Sequence, residues 1–293
     1  MNGLNTNELK EKITSFWRRL QKKEEAEEKT GAKKAVILAV VNQKGGVGKT
    51  TTAVNLSACL AETGSSVLLI DMDPQGNATS GVGLDRNKKD HCVYNALIGG
   101  KTIRELVEPT SQKNLFAVPA SIQLVGAEIE LAAVARREAK LERALRPILG
   151  EYDYVVIDCP PSLGLLTVNG FVAADRLIIP IQCEYYALEG LGNLWESYQR
   201  VKAGLNPTLG IGGIVMTMYD GRAKLSRDVV SNVAEFFKDR VQGEKVKVYK
   251  TIVPRTIRLS EAPSFGQPIN IFDSSSKATK VYRALAKEVI GDG

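Results

Sequence analysis

The densest chemistry in the chain lies in Gly45-Gly46-Val47-Gly48-Lys49-Thr50-Thr51, with Lys44 immediately before it. Glycines at this spacing let successive backbone N–H groups turn inward and form a nest for an anion. The segment follows an apolar run at residues 35–41 and opens a helical pattern. A helix N-terminus therefore adds its positive potential to the nest. Lys49 can reach the β- and γ-phosphates of a nucleotide, and the Thr50 hydroxyl is a Mg²⁺ ligand. The spacing departs from the common GxxxxGK[ST] pattern, whose first glycine would fall where the chain has Gln43. Lys44 is a second lysine in a loop whose own phosphates Lys49 already serves. It is either a solvated surface group or one that crosses to a second subunit's nucleotide and offsets transition-state charge, as an arginine finger does.

Three acids stand where apolar runs end. Asp71 and Asp73 follow the run at 66–70 and lead into a loop rich in Gly, Asn and Ser. Asp71 suits a loop cap, whereas Asp73-Pro74-Gln75 begins a switch-like segment beside the phosphates. A carboxylate there can place a water with little proton transfer, because phosphoryl transfer depends mostly on placement and charge. Asp158 closes the run at 154–157, as a Walker B acid does, and is placed to hold Mg²⁺ through water. Pro160-Pro161-Ser162 stiffens the turn after it.

Positioning these groups requires a sheet. Short apolar runs at 35–41, 66–70, 154–157, 176–181, 211–216 and 246–253 alternate with helical patterns at 50–62, 122–149, 163–173, 188–203, 226–240 and 277–290. That alternation predicts an α/β fold, a doubly wound and mostly parallel sheet with helices on both faces. In the last helix Val281, Leu285 and Val289 share a face and are expected to dock on the sheet. The chain has 293 residues, 44% hydrophobic and 25% charged, which excludes wholesale disorder and fibrous classes. No apolar run approaches the ~20 residues that span a bilayer. The single histidine, His91, argues against a His-based metal site or a Ser-His-Asp triad. Four cysteines without a CxxC pair (Cys59, Cys92, Cys159, Cys183) read as buried reduced thiols in a cytosolic protein. The net charge of +6 permits a nucleic-acid or acidic partner without requiring one.

Residues 1–34 stand apart, with nine Lys/Arg and six Asp/Glu. Leu9, Ile13, Phe16 and Leu20 recur at helical spacing beside Trp17, with Asn7 as an N-cap. They predict a short amphipathic helix and then a tether, followed by a catalytic domain over 35–293.

The segments KGGVGKTT, LLIDMDPQGNATSGVG and YDYVVIDCPPSLG resemble the deviant Walker A ATPases. QCEYYALEG and PRTIRLSEAPSFGQPI are similar to the ParA/Soj partitioning subfamily within them, and the likeness runs from about residue 35 to 290. This resemblance implies a P-loop NTPase that uses ATP and Mg²⁺ with weak intrinsic turnover. It implies catalytic roles for Lys44, Lys49 and Asp73, the last orienting the attacking water. Nucleotide contacts would come from Lys44, Gly45, Gly46, Val47, Gly48, Lys49, Thr50 and Thr51, with Met218, Pro254 and Arg255 bordering the adenine. Thr50, and Asp158 through water, would hold the metal. The residues alone do not choose adenine over guanine, although the NKxD pattern of GTPases is absent.

The resemblance further implies a homodimer that closes on ATP, holds duplex DNA non-specifically and lets go on hydrolysis. A ParB-like centromere-binding protein would stimulate that hydrolysis, and the protein would sit on the nucleoid in the cytoplasm. Residues 219–260 carry ten Lys/Arg against five Asp/Glu, in clusters at Arg222, Lys224 and Arg227, at Lys245, Lys247 and Lys250, and at Arg255 and Arg258. Arg222 and Arg258 match DNA-binding positions of the subfamily, and Lys224 and Arg227 flank the first. No aromatics interleave with these charges, which favours duplex phosphate contact over single-strand stacking. Three relatives compete with this reading. A MinD-like membrane-surface ATPase would end in a basic amphipathic tail, whereas residues 288–293 are short and acidic. An iron–sulfur reductase would flank its cysteines differently from Cys92 and Cys159, and a helix-turn-helix regulator would carry a longer extension. The acidic run Glu24-Glu25-Ala26-Glu27-Glu28 repels DNA and anionic lipid, so a protein scaffold is the expected partner of residues 1–34.

Overall fold

The computed structural model describes residues 35–184, 189–240 and 246–291. The amphipathic helix expected within 1–34, the middle of the QCEYYALEG segment and Lys245 lie outside them.

Eight strands form one sheet: β1 (Val36–Val40), β2 (Val67–Asp71), β3 (Glu108–Pro109), β4 (Leu115–Val118), β5 (Tyr154–Asp158), β6 (Arg176–Gln182), β7 (Gly210–Tyr219) and β8 (Val248–Pro254). Their order is β3-β4-β2-β5-β1-β6-β7-β8. All neighbours are parallel except β3, which runs antiparallel to β4. Six long helices cover the sheet: α1 (Lys49–Glu62), α2 (Leu124–Ala132), α3 (Leu165–Ala173), α4 (Glu189–Gly204), α5 (Lys224–Arg240) and α6 (Lys277–Ile290).

Alternation along the central strands divides the core in two. Ile37 and Ala39 of β1 and Leu68 and Ile70 of β2 face a layer with Leu124, Leu131, Phe171, Leu194 and Val233, from α2 to α5. Leu38, Val40, Val67 and Leu69 face the opposite layer, with Leu56 and Leu60 of α1 and Leu285 and Val289 of α6. Helices on both faces explain why the strands read as near-continuous apolar runs. The helix after β1 goes to one face and the helix after β5 to the other. Neighbouring strands whose connections part in this way leave a crevice over their carboxyl ends, where ligands of open α/β sheets bind. The doubly wound fold is the expected one, and α6 occupies the expected span. Its Ser276 cap accepts a hydrogen bond from Thr279 N at 3.1 Å.

One expectation is overturned. The pattern at 122–149 is a broken series, not a single helix: α2 is followed by 3₁₀ turns at Arg137–Ala139 and Arg146–Glu151 around a short helix, Lys140–Leu145. The break falls at Arg136, which has φ 54°. Fully buried Asn169 of α3 explains it. Its amide donates to Arg137 O at 2.9 Å and Leu165 O at 2.8 Å, and its carbonyl accepts from Leu141 N at 3.1 Å. A side-chain amide that takes backbone groups offers the chain an alternative to the helical ladder. Strands β3 and β4 were also not expected, being too short to show a period. All four cysteines are free and buried as expected, and burial pushes the thiols of Cys59, Cys159 and Cys183 up.

Replacing Asn169 by Leu removes the side-chain partner of Arg137 O and Leu141 N, and a buried backbone group left unpaired costs ~1–3 kcal/mol. The urea midpoint should therefore fall clearly. An unchanged midpoint would show that other contacts hold the break at Arg136.

Candidate nucleotide site

Three strand ends lie level at the crevice. Val40 is opposite Asp158, and Asp158 is opposite Asp71. The glycine loop, the β5 acid and the segment bearing Asp73 therefore leave the sheet side by side.

The loop between β1 and α1 is pinned from beneath. Buried Asn42 donates to Pro180 O at 2.7 Å, and its carbonyl accepts from Lys44 N at 3.0 Å. On the other side the Thr217 hydroxyl of β7 donates to Val47 O at 2.8 Å. Gly46 and Gly48 take left-handed φ values of 74° and 87°, which explains glycine at those two positions. Lys49 opens α1 and is 7% exposed. Its Nζ donates to Lys44 O at 3.0 Å, so the ammonium folds back over the loop with further donors to spare. Burial lowers its pKa, while the Asp158 and Asp73 carboxylates push the other way.

Asp158 is wholly buried. Neither carboxylate oxygen has a hydrogen-bond partner of good geometry among the described residues, although the Thr50 hydroxyl faces it and favours its charged form. Burial, and then the charge of Asp71, hold its pKa well above the usual carboxylate range. An orphaned buried carboxylate beside a threonine hydroxyl fits a hydrated cation. Among the described residues no group of three or more His, Cys, Asp and Glu forms a metal cage. A hard cation here would keep water and take its other ligands from phosphate, as Mg²⁺ does.

The neighbouring acids differ. Asp71 accepts from Asp73 N at 3.0 Å, Thr79 N at 2.8 Å and the Thr79 hydroxyl at 2.7 Å. The Thr79 hydroxyl in turn accepts from Ala120 N at 2.9 Å. Asp71 is a strut for the loop, as its position before a Gly/Asn/Ser segment suggested. Asp73 is 8% exposed and starts a tight turn, accepting from Gln75 N through Oδ1 at 2.9 Å and from Gly76 N through its carbonyl at 2.9 Å. In the β5 turn the Thr167 hydroxyl donates to Ser162 O at 2.5 Å.

Across the crevice, Met218, the penultimate residue of β7, has φ 51°, a left-handed conformation that is strained for a residue with a side chain. Tyr219 pairs with Pro254, and Arg255 N donates to Tyr219 O at 3.3 Å. The structure thus brings Met218, Pro254 and Arg255 together.

The sequence family described as "AAA domain" matches residues 35–211. The chain is 51% identical over 257 residues to the sporulation initiation inhibitor protein Soj of Bacillus subtilis, covering 88% of this chain and 99% of the relative. It is 51% identical over 254 residues to the chromosome partitioning protein ParA of Myxococcus xanthus, covering 87% of each. The chain belongs to the Soj/ParA family. Among solved structures, a cobyrinic acid a,c-diamide synthase from Mycobacterium smegmatis with bound ADP and magnesium superimposes with a TM-score of 0.74 at 38% identity, over 86% of this chain and 93% of that one.

In this Soj/ParA member, Lys44 does not point at its own loop. Its Nζ lies 3.9 Å from Glu184 Oε2, and Arg255 lies 4.0 Å from Glu184 Oε1. Glu184 links two of the expected site residues and was not singled out in the sequence; its place within QCEYYALEG was the only signal. The basic groups divide. Arg222, Lys224 and Arg227 share one exposed loop and the first turn of α5. Arg222 is 92% exposed and is held by Asp220 at 3.2 Å. Arg258 stands on a separate short helix, Arg258–Glu261, paired with Glu261 at 3.1 Å and Asp273 at 3.4 Å.

Two outcomes follow from this geometry. Thr217→Val should weaken nucleotide binding about tenfold by isothermal titration, because it strands a buried carbonyl under the loop at ~1–3 kcal/mol. Asp158→Asn removes a buried acid whose charge is opposed by burial and by Asp71. Without nucleotide that variant should unfold at higher urea than wild type, and Mg²⁺-ATP should stabilise wild type but not the variant.

Proposed function

We propose that this chain is an ATP-hydrolysing DNA-partitioning protein that dimerises on Mg²⁺-ATP, binds duplex DNA without sequence preference and releases it on hydrolysis. The observation that carries this reading is the convergence of Lys49, orphaned Asp158 and Asp73 over three level strand ends. Kinship with Soj and ParA supplies the biological context.

The glycine loop and the N-terminus of α1 receive the phosphates, and Lys49 swings from the Lys44 carbonyl onto the β- and γ-phosphates. Thr50, and Asp158 through water, hold Mg²⁺. An ion held there would supply neutralising charge at the phosphate oxygens. Asp73, fixed by its own turn, orients the attacking water. Met218, Pro254 and Arg255 border the base. Lys44 leaves Glu184 and reaches the nucleotide of a second copy. Arg222, Lys224, Arg227 and Arg258 contact DNA phosphates, with Arg222 and Arg258 exchanging an internal carboxylate for an external anion. A ParB-like centromere-binding protein stimulates turnover, which is weak without it, and DNA contact places the protein on the nucleoid. Residues 1–34, which precede the matched family domain, bind a protein scaffold.

The variants separate these roles. Lys49→Ala should lose productive nucleotide binding. Asp73→Ala should bind ATP and dimerise without turnover. Lys44→Ala should keep monomer binding while losing dimer and hydrolysis by gel filtration and phosphate release. Wild-type dimerisation and hydrolysis in Lys44→Ala would remove the trans role.

DNA retention should require ATP and weaken with salt by about −0.9 in log–log slope per neutralised phosphate. Arg222→Glu or Arg258→Glu should abolish retention and leave the dimer. Equal retention with and without ATP would count against the coupling. Deleting residues 1–34 should spare both activities and change where the protein sits in the cell; loss of ATPase activity would instead assign that segment to the catalytic body.

A further inference from the structure

The turn that carries Asp73 is held from outside by a residue that no motif marks. Gly76 lies in the left-handed region at φ +65°, and a Cβ there would come within 2.8 Å of Arg86 Cβ and 3.3 Å of Arg86 Cδ. The stem of Arg86 therefore rests directly on the Gly76 backbone. Its Nη1 donates to Gln75 O at 3.1 Å. Gln75 is the residue whose N–H caps the Asp73 carboxylate at 2.9 Å. One side chain thus touches both residues that close the Asp73 turn.

The segment between them is anchored at its far end too. Gly83 and Gly266 meet backbone to backbone, and a Cβ on Gly83 would lie 2.9 Å from Gly266 O. With Asp71 holding Thr79, the excursion from Asp73 to Arg86 is fixed at three places, and Arg86 is the anchor on the turn residues Gln75 and Gly76. Arg86 also lines, with Thr50 and Thr51, a groove of 480 Å³ beside the start of α1.

We infer that Arg86 is a positioning residue for hydrolysis, clamping the Gln75–Gly76 backbone so that the Asp73 carboxylate stays where it can orient water. This rests on the proposed role of Asp73. An exposed arginine on a carbonyl contributes little to global stability. A displacement of about 1 Å at a catalytic group is felt far more strongly in rate than in stability. The signature is therefore a loss in kcat, with KM and the melting temperature unmoved.

The test compares wild type, Arg86→Met, Arg86→Lys and Asp73→Ala by steady-state ATP hydrolysis with Mg²⁺ and by thermal unfolding. Arg86→Met keeps the stem over Gly76 and drops the donor. It should lower kcat about tenfold with KM within about twofold of wild type. Arg86→Lys restores a donor to the Gln75 carbonyl and should recover most of the rate. Wild-type kcat in Arg86→Met with Asp73→Ala inactive overturns the inference and leaves the role of Asp73 standing. A rise in KM at constant kcat also overturns it, by making Arg86 a nucleotide-binding group. If Asp73→Ala hydrolyses ATP like wild type, the underlying reading of the acid fails instead.

Discussion

Asp158 is a wholly buried carboxylate whose oxygens have no hydrogen-bond partner of good geometry among the described residues; burial opposes its charge, and a cation beside it favours that charge. Its position follows from the parallel register of β1, β5 and β2, which brings three strand ends level and places Lys49, Asp71 and Asp73 around it. Burial lowers the Lys49 pKa, and the Asp158 and Asp73 carboxylates oppose that shift. Asp71 is occupied by three donors. A hydrated Mg²⁺ with phosphate ligands fits this arrangement of charges.

The rest of the fold reads as support for that arrangement. The loop is held from two strands that are not its own: its Asn42 donates to Pro180 O of β6, and Thr217 of β7 donates to Val47 O. Both strands lie on the same side of β1, so the loop's shape depends on the β6–β7 half of the sheet. The core beneath is ordinary, with alternating residues dividing between two helical layers.

The site was legible in the sequence to the extent that its chemistry is local. Gly45 to Thr51 form a continuous segment whose residue types have one common physical purpose, and Asp158 ends a strand that its apolar run announces. Asp71 could be read as a loop cap from its place in the loop, and the hydrogen bonds agree with that reading. What could not be read was whatever depends on distant partners. The break at Arg136 comes from Asn169, on a different helix. Glu184 meets Lys44 and Arg255 only because β6 lies between their strands. Arg86 reaches Gln75 because Gly76 and Gly83 turn the chain back. A helical period over 122–149 was present in the residues, and a buried amide overrode it.

Met218 carries a consequence of its own. A glycine would take its left-handed backbone without strain, yet the chain keeps a long thioether there. Whatever is gained must come from the side chain. Methionine is unbranched and polarisable, and so offers a surface that adapts to a flat apolar face. Such a surface recognises an aromatic ring by shape and dispersion and is indifferent to the pattern of donors and acceptors around the ring's edge. If a purine rests on Met218, discrimination between its amino and oxo forms falls to the backbone groups around Tyr219 and Arg255. Altering the thioether would then change how tightly the ring is held without changing which ring is preferred.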